Sequence, residues 1–265
     1  MMSNPLVLIC IRDLSDALGN RRVMLSSAFT VVWVGFAFGM IPNSQPSSGF
    51  GHGALIWCEF LAMLPAVLSA PISISLTTGE RERATLETTL SFCPERSTLA
   101  LGKTLAIAVC YIAHLAGVIV ALVSAVAFNS FGSHESPLPH QEDRFGALVY
   151  CFTLMAVFFC AWFSSMAFLL GYLARSVREA SSWLNPILLA VMVLPSAAAY
   201  WGFLDYFLLL LVPGIGVYAI CFEILDDRFV WWHCAVVAGS TGAYCWLAIH
   251  LGIRRLCSDS MLVRY

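Results

Sequence analysis

The sequence predicts an all-α, polytopic membrane protein with about six transmembrane helices, an N-terminal amphipathic interfacial helix and a re-entrant extracellular segment before the last span. Three observations predict it. Of the 265 residues, 60% are hydrophobic and only 11% charged, with a mean hydropathy of +0.82. Soluble domains are about a quarter charged, and a chain this apolar cannot cover its own surface with polar groups, so its solvent is lipid. Six apolar runs are each long enough to cross a hydrocarbon core of about 30 Å, and the basic residues collect on alternate connections between them.

The chain opens on Pro5–Arg22, where Leu6, Ile9, Leu14 and Leu18 alternate with Arg12, Asp13, Asp16 and the Arg21-Arg22 pair. Residues 5–22 therefore read as an amphipathic helix on the inner membrane surface, and equally as an anchor for the span that follows. The first run, Val23–Ile41, is longer than the ~7–15-residue core of a cleavable signal. It leads into Pro42-Asn43-Ser44-Gln45-Pro46, so it reads as a retained helix. The other spans are Ala54–Leu76, Thr104–Phe128, Ala147–Leu173, Trp183–Leu204 and Phe229–Ile253. Between the last two, Phe207–Phe222 is apolar but broken by Pro213-Gly214-Ile215-Gly216. Each half would be about 10 Å long as helix, too short to cross.

Charge orients these elements. With the N-terminus in the cytoplasm, the inner segments hold Arg12, Arg21 and Arg22; Arg81, Arg83, Arg96 and Lys103; Arg175 and Arg178; and Arg254, Arg255 and Arg264. Of the 14 basic residues only Arg144 and Arg228 lie outside, where Glu135, Glu142, Asp143, Asp205, Glu223, Asp226 and Asp227 collect. This is a positive-inside pattern with both termini cytoplasmic, in a multi-pass protein of the cell membrane. A seventh span would carry Arg254, Arg255 and Arg264 outside, so residues 205–227 read as dipping in and returning, shielded by neighbouring helices. The linkers are short and no soluble head fits, leaving a single membrane domain over 1–265. A net charge of −2 argues against a nucleic-acid partner. The ten cysteines show no CxxC or metal spacing, and most fall in apolar runs as packing residues.

The densest charge lies between the second and third spans, in a segment taken here as 79–96. Thr78 is placed to cap a helix whose first turn carries Glu80 and Glu82, favourable at the positive end of the helix dipole. Glu80/Arg83 and Arg83/Glu87 are pairs three and four residues apart. Leu86 and Leu90 form an apolar stripe, Pro94 stops the helix near Phe92, and Ser97 is placed to cap the next one. The plain alternative is a solvated connection whose charges only obey the positive-inside rule.

This segment resembles the loop between the second and third spans of ABC-2 type permeases, the membrane subunits of many bacterial ABC exporters. The matching residues are Gly79, Glu80, Glu82, Arg83, Thr85, Leu86, Glu87, Leu90, Pro94, Arg96, Leu101, Gly102 and Lys103; Ala84 and Thr89 depart from the pattern. Asp13-Leu14 with Arg21-Arg22 is similar to the family's opening helix, and Leu211-Val212-Pro213-Gly214 to its re-entrant hairpin. The tail Arg254-Arg255-Leu256 and Ser260–Arg264 resembles the ending of a subgroup of sodium-extruding exporters, from which Asp259 departs. The resemblance implies a permease subunit of an ATP-driven exporter, assembled with a second permease, copy or paralogue, and with separate ABC ATPase subunits. It implies that Glu80, Glu82, Arg83, Glu87, Phe92 and Arg96 contact the ATPase.

The chain itself has no phosphate-binding loop. Gly102-Lys103 lacks the upstream glycine, so no cofactor is expected here and ATP is hydrolysed by the partner. The rival readings are a secondary transporter, an intramembrane enzyme and an accessory membrane subunit. The first two need ionisable groups in the spans, and the candidates are Glu59, His114, His233 and His250. Glu59 is expected about a turn into its span near the outer interface, and His114 about three turns into the next. Both are candidates for a translocation path; the bland readings are a snorkelling carboxylate and a hydrogen-bonded interior histidine.

Overall fold

A computed structural model describes residues 11, 12, 15, 50–82, 96–132, 141–205, 207–212 and 214–257. The expected first span, most of the amphipathic segment and the centre of the charged loop lie outside the described residues. What is described is all helical: α1 (Phe50–Glu82), α2 (Arg96–Gly132), α3 (Gln141–Leu173), α4 (Val177–Tyr200), α5 (Ile215–Leu225) and α6 (Trp231–Cys257), with two 3-10 turns, Phe203–Asp205 and Phe207–Leu211, before α5. All but α5 are long and apolar enough to cross a membrane. Five such helices make the chain a multi-pass membrane protein.

α1, α3 and α6 run in one direction and α2 and α4 in the other. Thr78 Oγ1 donates to Gly171 O at 2.7 Å, and the Cys58 thiol reaches Leu148 O, so α1 and α3 are parallel. Tyr111 Oη donates to Ala62 O at 2.6 Å while Lys103 meets Glu80, which makes α1 and α2 antiparallel. α6 lies beside α3, with Gly252 against the Phe168 ring. The ends carrying Glu80, Lys103, Arg175, Arg178, Arg254 and Arg255 therefore gather on one side of the bundle. Glu223, Asp226 and Asp227 lie at the opposite side.

α3 is the hub and packs against all the other described helices. It buries Phe158, Phe159, Trp162, Phe163, Phe168 and Tyr172, and large rings supply the dispersion contacts that drive packing where lipid offers no hydrophobic gain. Small residues let backbones close in. At Gly171 an added Cβ would overlap Thr77, its Cβ only 2.5 Å away. α1 contains Pro65 and Pro71 yet stays continuous. Around them Ser69, Ser73 and Thr77 each donate to the carbonyl four residues back, at 2.7, 2.8 and 3.0 Å, so buried hydroxyls are satisfied within the helix. α4 opens on a side-chain cap: Ser176 Oγ accepts from Glu179 N at 3.2 Å, and Glu179 Oε2 reaches back to accept from Arg175 N at 2.7 Å.

The segment before α6 is short and broken. Gly214 adopts φ +88, a conformation that favours glycine, and from it α5 starts. α5 spans 11 residues, about 16 Å. Its first turn lies against Val237, well inside α6. Its end returns to the start of α6, where Glu223 Oε1 lies 2.5 Å from His233 Nδ1. Phe207 meets Trp232 at 5.7 Å between ring centroids, so the stretch enters beside the same turn of α6 at which it leaves.

Two local expectations are corrected. Thr78 is not a cap: α1 runs unbroken through Glu82, and Thr78 is a buried interior residue bonded to α3. Ser97 sits inside the first turn of α2 rather than at its cap. In both cases packing across the bundle extends a helix beyond the point where local sequence offers a start. Pro94 and the Leu86/Leu90 stripe lie outside the described residues.

Candidate functional site

The charged loop begins where α1 ends and closes where α2 begins. Glu80 lies in the last turn of α1, its side chain only 15% exposed. Its Oε1 accepts from Lys103 Nζ at 2.6 Å, and the lysine side chain has no exposed surface. The same oxygen accepts from Arg12 Nη2 at 2.9 Å, on a side chain 47% exposed. Glu82 is the last residue of α1 and Arg96 the first of α2; their side chains lie outside the described residues, as do Arg83, Glu87 and Phe92. The structure thus brings Glu80 to Lys103 and Arg12, with its charge turned inward.

The second group sits deeper. Glu59 is 2% exposed. Glu59 lies about one turn into the apolar span Leu55–Glu80, and neighbouring helices cover it, so it does not snorkel. Its Oε1 has no hydrogen-bond partner among the described residues. Tyr218 of α5 is also buried, near Glu59, and its hydroxyl has no partner among the described residues. His114 is buried and lies 2.8 Å from Cys110 O through Nδ1, which must donate because a carbonyl only accepts. Its Nε2 has no partner among the described residues. The Tyr111–Ala62 bond fixes the α1/α2 register, and Glu59 and His114 each lie three residues from it in the same direction. Three buried polar groups with open hydrogen-bonding capacity therefore sit at the outer part of the bundle. The other two candidate histidines are engaged: His233 with Glu223, and His250 stacked on Trp246 at 5.1 Å.

Lys103 and Tyr218 were not singled out as site residues from sequence. A lysine beside a span that is otherwise apolar was a usable signal for the first. Tyr218 lies in an apolar stretch that offers none. On the outer surface of α3, α5 and α6 lies an open, almost wholly apolar groove of about 570 Å³, bordered by Val157, Phe158, Val217, Ile220, Val237 and Ala238.

The profile described as ABC-2 family transporter protein matches residues 7–206, three quarters of the chain. The chain belongs to the ABC-2 transporter family. The match takes in Arg12, Glu59, the charged loop, Lys103 and His114, and it is to the family as a whole. Membership makes this a component of membrane transport with an ABC ATPase as its partner and the bilayer as its solvent. No curated protein matches the chain significantly.

Proposed function

We propose that this ABC-2 protein is a permease subunit of an exporter, lying in the cell membrane with both termini cytoplasmic. It forms the translocation path with a second permease and is driven by separate ATPase subunits; it binds no nucleotide or other cofactor itself. The observation that carries this reading is the continuity of α1. One helix runs from the buried Glu59 level to Glu82, at the mouth of the charged loop. Force on residues 83–95 therefore reaches the interior of the bundle without crossing a hinge at Gly79. Residues 79–96 are the coupling segment, and Glu82, Arg83, Glu87, Phe92 and Arg96 contact the ATPase. Glu59 and His114, with Tyr218, line the path for cargo once the bundle opens, and 205–227 is the re-entrant extracellular segment. The gathering of Lys103, Arg175, Arg178, Arg254 and Arg255 at one side supports placing that side in the cytoplasm.

Charge reversal tests the coupling reading. Glu82→Lys and Glu87→Lys are expected to change folding stability by no more than about 1 kcal/mol if these sites are exposed. Like charges set against the ATPase can cost several kcal/mol at an interface, so co-purification of the ATPase should be lost. Glu142→Lys, in the first turn of α3 at the opposite side of the bundle, should leave assembly intact. Retained ATPase binding and transport in both loop variants would reduce the loop to a linker.

A further inference from the structure

A loop between two membrane helices needs only to be long enough. This one is also fastened at its base. Glu80 Oε1 accepts hydrogen bonds from two cations on two other segments, Lys103 of α2 at 2.6 Å and Arg12 of the N-terminal segment at 2.9 Å. Two residues earlier, Thr78 Oγ1 donates to Gly171 O of α3. Four segments of the chain thus meet within a single turn of α1. The two ion pairs differ in kind. Lys103 has no exposed surface, and an ammonium out of water is tolerated only beside a counter-charge, so this pair is a fixed part of the packing. Arg12 is half in solvent, where an ion pair is weak and exchangeable.

We propose that Glu80, Lys103 and Arg12 form an ionic clamp that joins the base of the coupling loop, α2 and the N-terminal segment into one moving body. Glu80 is then a positioning residue that holds the loop's root, and its carboxylate is not offered to the ATPase. Lys103 is the permanent jaw and Arg12 the releasable one, through which a stroke on the loop is shared with the segment at the membrane surface. The clamp's part in transmission rests on the coupling reading above; its existence does not.

The test is a distance measurement on the permease extracted with whatever ATPase co-purifies. Spin labels are carried on encoded ketone residues at positions 11 and 97, both exposed. The native protein should give one narrow distance distribution, retained when ATP is added. Glu80→Gln, nearly isosteric, should broaden it at least twofold while the ATPase still co-purifies, and Arg12→Gln should broaden it without touching the buried pair. Glu80→Lys with Lys103→Glu restores the inner pair but sets Arg12 against a lysine, so the narrow distribution should return only when Arg12→Glu is added. An unchanged width in Glu80→Gln and Arg12→Gln overturns the clamp. So does full recovery in the double swap without Arg12→Glu, or loss of the ATPase from Glu80→Gln with the width unchanged. If no ATPase accompanies the native permease, the coupling reading fails, while the widths measured on the permease alone still decide the clamp.

Discussion

Two acidic side chains of the single helix α1, Glu59 and Glu80, lie about six turns apart and have opposite surroundings. Glu80 is met by an ammonium and a guanidinium on one oxygen. Glu59 is more deeply buried and leaves Oε1 without a partner among the described residues. Burial alone therefore does not tell what an intramembrane carboxylate does; its partners do. A carboxylate that two cations engage holds structure together. One with open capacity, beside a tyrosine hydroxyl in the same condition, is kept at a cost in stability and has something left to bind.

That contrast can be broken most directly at Lys103. Lys103→Met leaves Glu80 buried beside Arg12, and removing one partner of a buried pair costs about 3–5 kcal/mol. The low end, near 3 kcal/mol, is expected because Arg12 stays, and denaturant unfolding in detergent micelles measures it. Gly171→Ala tests the neighbouring contact. Its Cβ would press into Thr77, so α1 and α3 must separate, at about 1–3 kcal/mol for an overpacked site; the same unfolding assay applies. The smallest effect is expected at Glu59. Glu59→Leu removes an unsatisfied polar group, which is neutral or stabilising when the shape is kept, so the midpoint should hold or rise while transport is lost. A destabilisation by Glu59→Leu as large as that of Lys103→Met would erase the distinction between the two carboxylates.

The spans were legible because lipid imposes length and apolarity on a contiguous stretch. Each described long helix contains most of an apolar run, and Pro213–Gly216 marked the break before α5 by backbone chemistry alone. What could not be read was which polar residues face inward. Glu80 sits in a run of charges, Gly79-Glu80-Arg81-Glu82, that reads locally as a fresh, solvated helix. Its burial depends on Lys103, 23 residues on, and on Arg12, 68 residues back. Thr78 looked like a cap because its true acceptor, Gly171 O, is 93 residues away. The apolar run around Glu59 gives its depth but not the helices that pack over it. Periodicity and composition report on one helix at a time, and these roles are set between helices.

The hydroxyls of Ser69, Ser73 and Thr77 have a mechanical consequence. Each is spent on its own helix, so the middle of α1 presents no unsatisfied donor that would bind it to a neighbour in one register. Tyr111 to Ala62, Thr78 to Gly171 and Glu80 to Lys103 are strong directional links from α1 to its partners. Between those latches lie dispersion contacts, which are given up and regained as one surface slips past another. Resistance to shear along α1 is therefore granular, concentrated at a few named bonds, and the size of a stroke is set by which of them lets go first.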